Sequence, residues 1–217
     1  MNRTKIEWTD YSWNPITGCK HGCWYCYARK LAQRFKKVFP NGFEPTFYPE
    51  RLKEPWELKK PSKIFVCSIA DLFAPWTPPH WRNLVLIAMK NCPIKHTFQL
   101  LTKNPELIPP QRYPDNFWIG ATVTTEGGDE KNIEPISQLN AKVRFISFEP
   151  LLGAPDFTTY DLESIDWIII GKLTGSKKVK LRNSWLIDIR EEARFWDIPI
   201  FEKDNLGLSN PRQEFPR

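Results

Sequence analysis

Three cysteines crowd into the segment Gly18-Cys19-Lys20-His21-Gly22-Cys23-Trp24-Tyr25-Cys26, with the spacing C-x3-C-x2-C. Thiolates are ligands of iron–sulfur clusters, and a four-iron cluster ordinarily takes four of them. Three on one tight loop hold three irons and leave the fourth open to a substrate or cofactor. Gly18 and Gly22 let the backbone wrap closely round so bulky a group. Zinc is the rival, because Cys19, His21, Cys23 and Cys26 also make up a Cys3His set that tetrahedral zinc accepts. Structural zinc sites usually draw their ligands as pairs from separate segments, so the spacing favours the cluster and leaves zinc open. Cys67 and Cys92 read as packed thiols, since free cysteine behaves as a small hydrophobe. His80 and His96 stand at element boundaries without a nucleophile or carboxylate partner and read as structural or surface residues.

Something must position that loop. Short apolar runs at Ile64–Ser68, Thr97–Leu101, Phe117–Val123, Val143–Ser147, Trp167–Ile170 and Ile198–Phe201 read as strands, most of them apolar on both faces. Lys5–Trp8 is the candidate for a strand ahead of them. Helical spacing recurs between the runs: Ala28, Leu31, Ala32 and Phe35; Leu84, Val85 and Ala88; Ile133, Ile136 and Leu139. Ser184 reads as the N-cap of a helix whose apolar face is Leu186, Ile189 and Ala193. Strands alternating with helices predict an α/β fold with a parallel sheet, curled into a barrel or lying open as a doubly wound sheet. In both, the loops after the strand C-terminal ends build the site. Polar residues collect there: Ser68 and Asp71, Thr102 and Lys103, Thr122 and Thr124, Glu149, Lys172, and Glu202 with Lys203.

A hydrophobic share of 41% is enough for a real core, and no apolar run approaches the roughly 20 residues that cross a bilayer. A polar N-terminus without the apolar core of a signal peptide predicts a cytoplasmic protein with no membrane association, and clustered cysteines in that reducing compartment predict a metal or cluster site rather than disulfides. The formal net charge of +6 suits anionic partners. Basic clusters at Arg29, Lys30, Arg34, Lys36 and Lys37, and at Lys177, Lys178, Lys180 and Arg182, carry a nucleic-acid reading beside the plainer one of a solvated face.

The cysteine segment, with the aromatic Tyr25 before its third cysteine, resembles the signature of the radical S-adenosylmethionine superfamily. The resemblance extends to Ile6-Glu7-Trp8-Thr9-Asp10, Trp13-Asn14-Pro15, Ile64-Phe65-Val66-Cys67-Ser68 through Asp71-Leu72-Phe73, and His96-Thr97-Phe98-Gln99 through Leu101-Thr102-Lys103. It continues through Arg144 to Gly153 and Ile165-Asp166-Trp167. These phrases are similar to one branch, the phage Gp37/Gp68-like (DUF5131) family, over about residues 4 to 207. The chain departs from the pattern at Gly171-Lys172-Leu173-Thr174-Gly175, where a Gly-Gly-Glu-Ser-Gly-like loop is usual. It departs again at Phe201-Glu202-Lys203-Asp204-Asn205-Leu206-Gly207, and in a short spacing between the first two cysteines.

The resemblance implies a single TIM-barrel-like domain over residues 1–217, a partial or complete parallel (β/α) barrel of six or seven strands with its cluster loop at 19–26. It implies that Cys19, Cys23 and Cys26 hold a [4Fe-4S] cluster whose open iron chelates S-adenosylmethionine. One electron then cleaves the cofactor to methionine and a 5'-deoxyadenosyl radical, which abstracts hydrogen from a substrate. The electron comes from a donor such as a flavodoxin or ferredoxin. Tyr25 would meet the adenine through its backbone, and Ser68, Asp71, Thr102, Lys103 and Glu149 are candidates for the methionyl and ribose groups. Lys172, Glu202 and Lys203, in the altered loops, are substrate candidates and hint at an anionic nucleotide or nucleic acid. The alternative is a zinc-dependent nucleic-acid-binding protein without catalysis.

Overall fold

The computed structural model describes residues 1–174 and 179–217. Gly175 of the altered loop and Lys177 and Lys178 of the second basic cluster lie outside the described residues. The chain is mixed α/β and divides into two compact units, Met1–Thr102 and Lys103–Arg217.

The first unit contains β1 (Asn2–Arg3), β2 (Tyr11–Trp13), β3 (Ile16–Thr17), α1 (Tyr27–Arg34), β4 (Thr46–Phe47), β5 (Lys63–Val66), α2 (Pro79–Lys90) and β6 (Thr97–Thr102). β2, β5 and β6 run parallel, with Tyr11 opposite Ile64 and Ile64 opposite Phe98; β1 is antiparallel to β2, and β3 pairs with β4 as a separate ribbon. The expected strand at Lys5–Trp8 is not one. Those residues lead into a turn, and Trp8 instead buries its indole against Phe65, ring centroids 4.7 Å apart. Removing so large an apolar body from water outweighs any local strand preference.

The second unit contains β7 (Phe117–Thr122), α3 (Ile133–Ser137), β8 (Val143–Leu151), β9 (Trp167–Lys172), α4 (Asn183–Phe195) and β10 (Ile200–Glu202). Among the described residues these strands run parallel, in the order β7-β8-β9-β10. Trp167 through Ile170 are buried without interruption, as a strand covered on both faces requires. Trp167 stacks on Phe215 at 5.5 Å and donates its indole N–H to the Glu214 carbonyl at 2.8 Å, so the C-terminal segment covers the strand ends.

Two helices correct the expected faces. α1 buries only Ala28 and Ala32, while Leu31 and Phe35 point outward. α4 begins at Asn183 with Arg182 at the N-cap, which places Ser184 inside the helix; the buried face of Leu186, Ile189 and Ala193 is as expected.

His96 is a structural residue. It is fully buried, accepts the Ser62 N–H at Nδ1 (3.2 Å) and bonds the Pro55 carbonyl through Nε2 (3.0 Å). A carbonyl only accepts, so Nε2 carries the proton and the ring is neutral. Burial lowers its pKa below the ordinary 6.5, the Pro55 carbonyl only partly offsetting this. The unfolded chain therefore binds the proton more readily, and stability present above pH 6.5 is lost progressively as pH falls below it. NMR is expected to find the His96 ring titrating below the ordinary 6.5, with the urea midpoint falling from pH 8 to pH 5. A ring half-protonated at or above pH 6.5 contradicts this.

Candidate functional site

In the first unit the C-terminal ends of β2 and β5 are joined by short-range bonds that leave the cysteine loop little freedom. Cys67 follows β5 in the left-handed conformation (φ 57°) and donates its N–H to the Trp13 carbonyl at 2.8 Å. Asn14 then accepts both the Ser68 hydroxyl and the Ile69 N–H, each at 3.2 Å. Gly18 donates to the Ile69 carbonyl and forms a parallel bridge with Ala70, so the loop continues the sheet for one residue before it departs. Here glycine is required twice over. Its φ is +86°, and a Cβ would collide with the Glu44 carbonyl.

Cys19, Cys23 and Cys26 are free and half-buried. The Cys26 N–H donates to the Cys23 carbonyl at 3.1 Å, closing a turn, and Tyr25 within that turn lies edge-on to Trp24 at 5.3 Å. Cys26 is also the N-cap of α1: its Sγ accepts the Arg29 N–H at 3.4 Å. Arg29 reaches back to the Cys19 carbonyl and lies over the Phe43 ring at 5.1 Å. Burial pushes the Cys19 thiol up to about 11. The His21 N–H opposes this, whereas Asp71, Cys23 and Cys26 add to it through like charge, which places the other two thiols within electrostatic reach.

Asp71 is the hub beneath the loop. Its Oδ1 accepts the Thr102 hydroxyl (2.7 Å) and the Phe73 N–H (3.0 Å), and its Oδ2 faces His21 Nε2 at 2.9 Å. A carboxylate only accepts, so His21 donates from Nε2. His21 also meets Trp76 edge-on at 4.7 Å. Sequence reasoning noticed His21 only as a zinc ligand and did not foresee that it ties the cysteine loop to the turn after β5; nothing in a separation of 50 residues signals such a bond. Among the described residues, no group of three or more His, Cys, Asp or Glu side chains converges as a metal-binding set. Cys67 is buried, its thiol pushed up to about 12 by burial.

The second unit carries a polar set of its own. Glu149 does not follow its strand, expected over Val143–Ser147, but lies within it, since β8 runs to Leu151. β8 shifts register between Phe148 and Leu151 and continues, an irregularity that re-aims the side chain. There Glu149 Oε1 pairs with Lys203 Nζ. Gly171 leaves room for the pair, since a Cβ would come within 3.1 Å of both side chains. Lys172 is held through its backbone by Asn205, which accepts its N–H at 3.2 Å and donates to its carbonyl at 2.9 Å; Asn205 was missed in the sequence. Glu202 takes a different course. It is fully buried, its Oε1 accepting Arg190 Nε at 2.5 Å and its Oε2 the Arg212 N–H at 2.9 Å, so the fold itself uses both oxygens. Lys103, half-buried, opens the second unit.

Among the described residues no helix is long and apolar enough to cross a membrane. No curated protein matches the chain. A solved structure described as a spore photoproduct lyase complexed with dinucleoside spore photoproduct is similar over 90% of this chain and 75% of that one, with 10% identity and a TM-score of 0.52, a likeness of fold alone. The model of a family described as a protein of unknown function, DUF5131, matches residues 3–211, and the chain belongs to that family.

Proposed function

We propose that the chain is a radical S-adenosylmethionine enzyme whose Cys19, Cys23 and Cys26 hold a [4Fe-4S] cluster. The observation that carries this is the placement of three free, half-buried thiols on one glycine-hinged loop, bridged to the C-terminal side of β5. The donor set fits. Zinc would need its sulfurs about 3.8 Å apart around one ion, whereas a cluster spreads three thiolates over three irons. Cys19 lies within electrostatic reach of Cys23 and Cys26, all three on the one loop. When bound, such a cluster supplies the electron that breaks a carbon–sulfur bond of S-adenosylmethionine.

The chain's own residues bind and orient. Asp71, held by Thr102 and facing His21, fixes the floor of the loop and sets a negative charge beside it. Ser68, whose hydroxyl donates to Asn14 and whose carbonyl accepts the Tyr27 hydroxyl, and Tyr25, which directly precedes Cys26 in the cysteine turn, are proposed to meet the cofactor; Asp71 and Thr102, bonded to each other, are proposed to support that contact. Lys103, Glu149, Lys172 and Lys203 are proposed to bind polar groups of cofactor or substrate in the second unit. Of these, Lys172 suits an anion, whereas Lys203 is already paired with Glu149 and is proposed to act with it as a polar pair. The fold likeness to a lyase solved with a dinucleoside supports a nucleotide or nucleic-acid substrate class.

Anaerobic reconstitution with iron and sulfide tests the reading. A brown protein with about four irons per chain, yielding 5'-deoxyadenosine when reduced with dithionite, is expected. A colourless product with one tightly held zinc and no 5'-deoxyadenosine refutes it.

A further inference from the structure

The charge of this chain is segregated. From Tyr11 to Phe43 there are six Lys or Arg and no Asp or Glu, so this one stretch carries the whole formal excess of +6 while the remainder is balanced. The same stretch contains the cysteine loop and α1. α1 buries only two alanines, and large side chains on and beside it are exposed: Tyr27 and Leu31 within the helix, Phe35 at its C-cap, Trp24 before it and Val38 after it, each between 37% and 57% exposed. Tyr27, Leu31 and Phe35 follow one another at intervals of four and form an apolar ridge. Lys30 and Arg34 of α1 and Lys37 just beyond its end, all exposed, give a basic border beside it. An apolar centre rich in aromatics, with arginine and a charged border, has the composition of a protein-docking surface.

We infer that this face of α1 docks an acidic one-electron carrier protein that reduces the cluster. The inference rests on the proposed function for the need of an electron, while the surface itself is independent of it. Position favours this occupant, because Cys26 caps α1 and Trp24 stands between two of the cysteines, so a protein seated on the ridge lies beside the cluster loop. Charge favours it as well, since a face with this excess repels a second copy of itself and steers an acidic partner. Leu31 and Val38 favour it over single-stranded nucleic acid, because aliphatic side chains offer bases no ring to stack on. In the step itself the carrier is oxidised by one electron and the cluster reduced by one, with no bond made or broken.

The test uses flavodoxin as the acidic probe and the full chain carrying K30E, R34E and K37E together. Titration with flavodoxin is expected to show binding to the parent protein that weakens with salt, and an association rate on the order of 10²-fold lower for the triple variant. Production of 5'-deoxyadenosine driven by reduced flavodoxin falls in parallel, while production driven by dithionite is unchanged. A second variant, Leu31→Gln, probes the apolar ridge alone and is expected to dissociate faster without a change in salt dependence. Unaltered flavodoxin binding in both variants overturns the inference. So does a parent protein that ignores flavodoxin and uses this face to bind a single-stranded oligonucleotide or anionic phospholipid vesicles. If dithionite itself yields no 5'-deoxyadenosine, the catalytic reading fails, and the binding titration still decides the surface.

Discussion

Cys26→Ser is expected to abolish iron and sulfide uptake while leaving the fold unchanged. The two roles of Cys26 make the substitution unusually clean. As the N-cap of α1 its sulfur accepts the Arg29 N–H. Serine is among the best residues at that position, so the helix keeps its cap, whereas alanine would cost about 1 kcal/mol. As a ligand, serine replaces a soft thiolate with a hydroxyl that iron–sulfur clusters do not ordinarily use. Thermal unfolding of the metal-free variant should match that of the parent, while its reconstituted iron and its 5'-deoxyadenosine both fall to the level of a blank. Cys67→Ser is the control for a buried thiol and should give the opposite result, with iron uptake retained and stability lost, because a hydroxyl at a fully buried site needs a partner. Full iron uptake by Cys26→Ser would remove this residue from the cluster and with it the proposed site.

The contrast between these cysteines shows what the sequence made legible. Three thiols within one loop are close by covalent necessity, so their spacing speaks directly about geometry. The strands from β5 onward were legible for a related reason: runs such as Trp167–Ile170 are apolar at every position, and only a strand covered on both faces uses them fully. β2 was not legible. Its three residues are held by register with β5, Tyr11 opposite Ile64 and Trp13 opposite Val66, and a pairing across 53 residues leaves no local trace.

α1 was read inside out for a physical reason. Helical periodicity identifies a helix, but assigning its buried face assumes that large apolar residues go inside. Here the helix packs through Ala28 and Ala32, whose small side chains permit close approach, and Leu31 and Phe35 are left at the surface. The polar site residues divide in the same way. Asp71 and Glu149 were picked out because they follow strands, yet their partners lie 31, 50 and 54 residues away in Thr102, His21 and Lys203. Which carboxylate stays available and which is consumed by the fold is decided by those distant partners.

Glu202 is the sharpest such case, and Arg190→Met is expected to cost about 3–5 kcal/mol, the usual penalty for stripping the partner from a buried charge. Arg190 is itself 32% exposed, which lets water reach the pair and places the loss toward the lower end of that range. Glu202→Gln should cost less, because an amide oxygen can still accept the Arg212 N–H while no charge is left in the interior. The double variant is then expected to recover most of the loss seen in Arg190→Met, a coupling that urea unfolding of the four proteins would measure. A loss below about 1 kcal/mol for Arg190→Met would mean that the carboxylate is solvated and free to meet a ligand. A large, mostly recovered loss means that Glu202 anchors α4 to β10 and the C-terminal segment, leaving Lys203, one residue further along, to face Glu149.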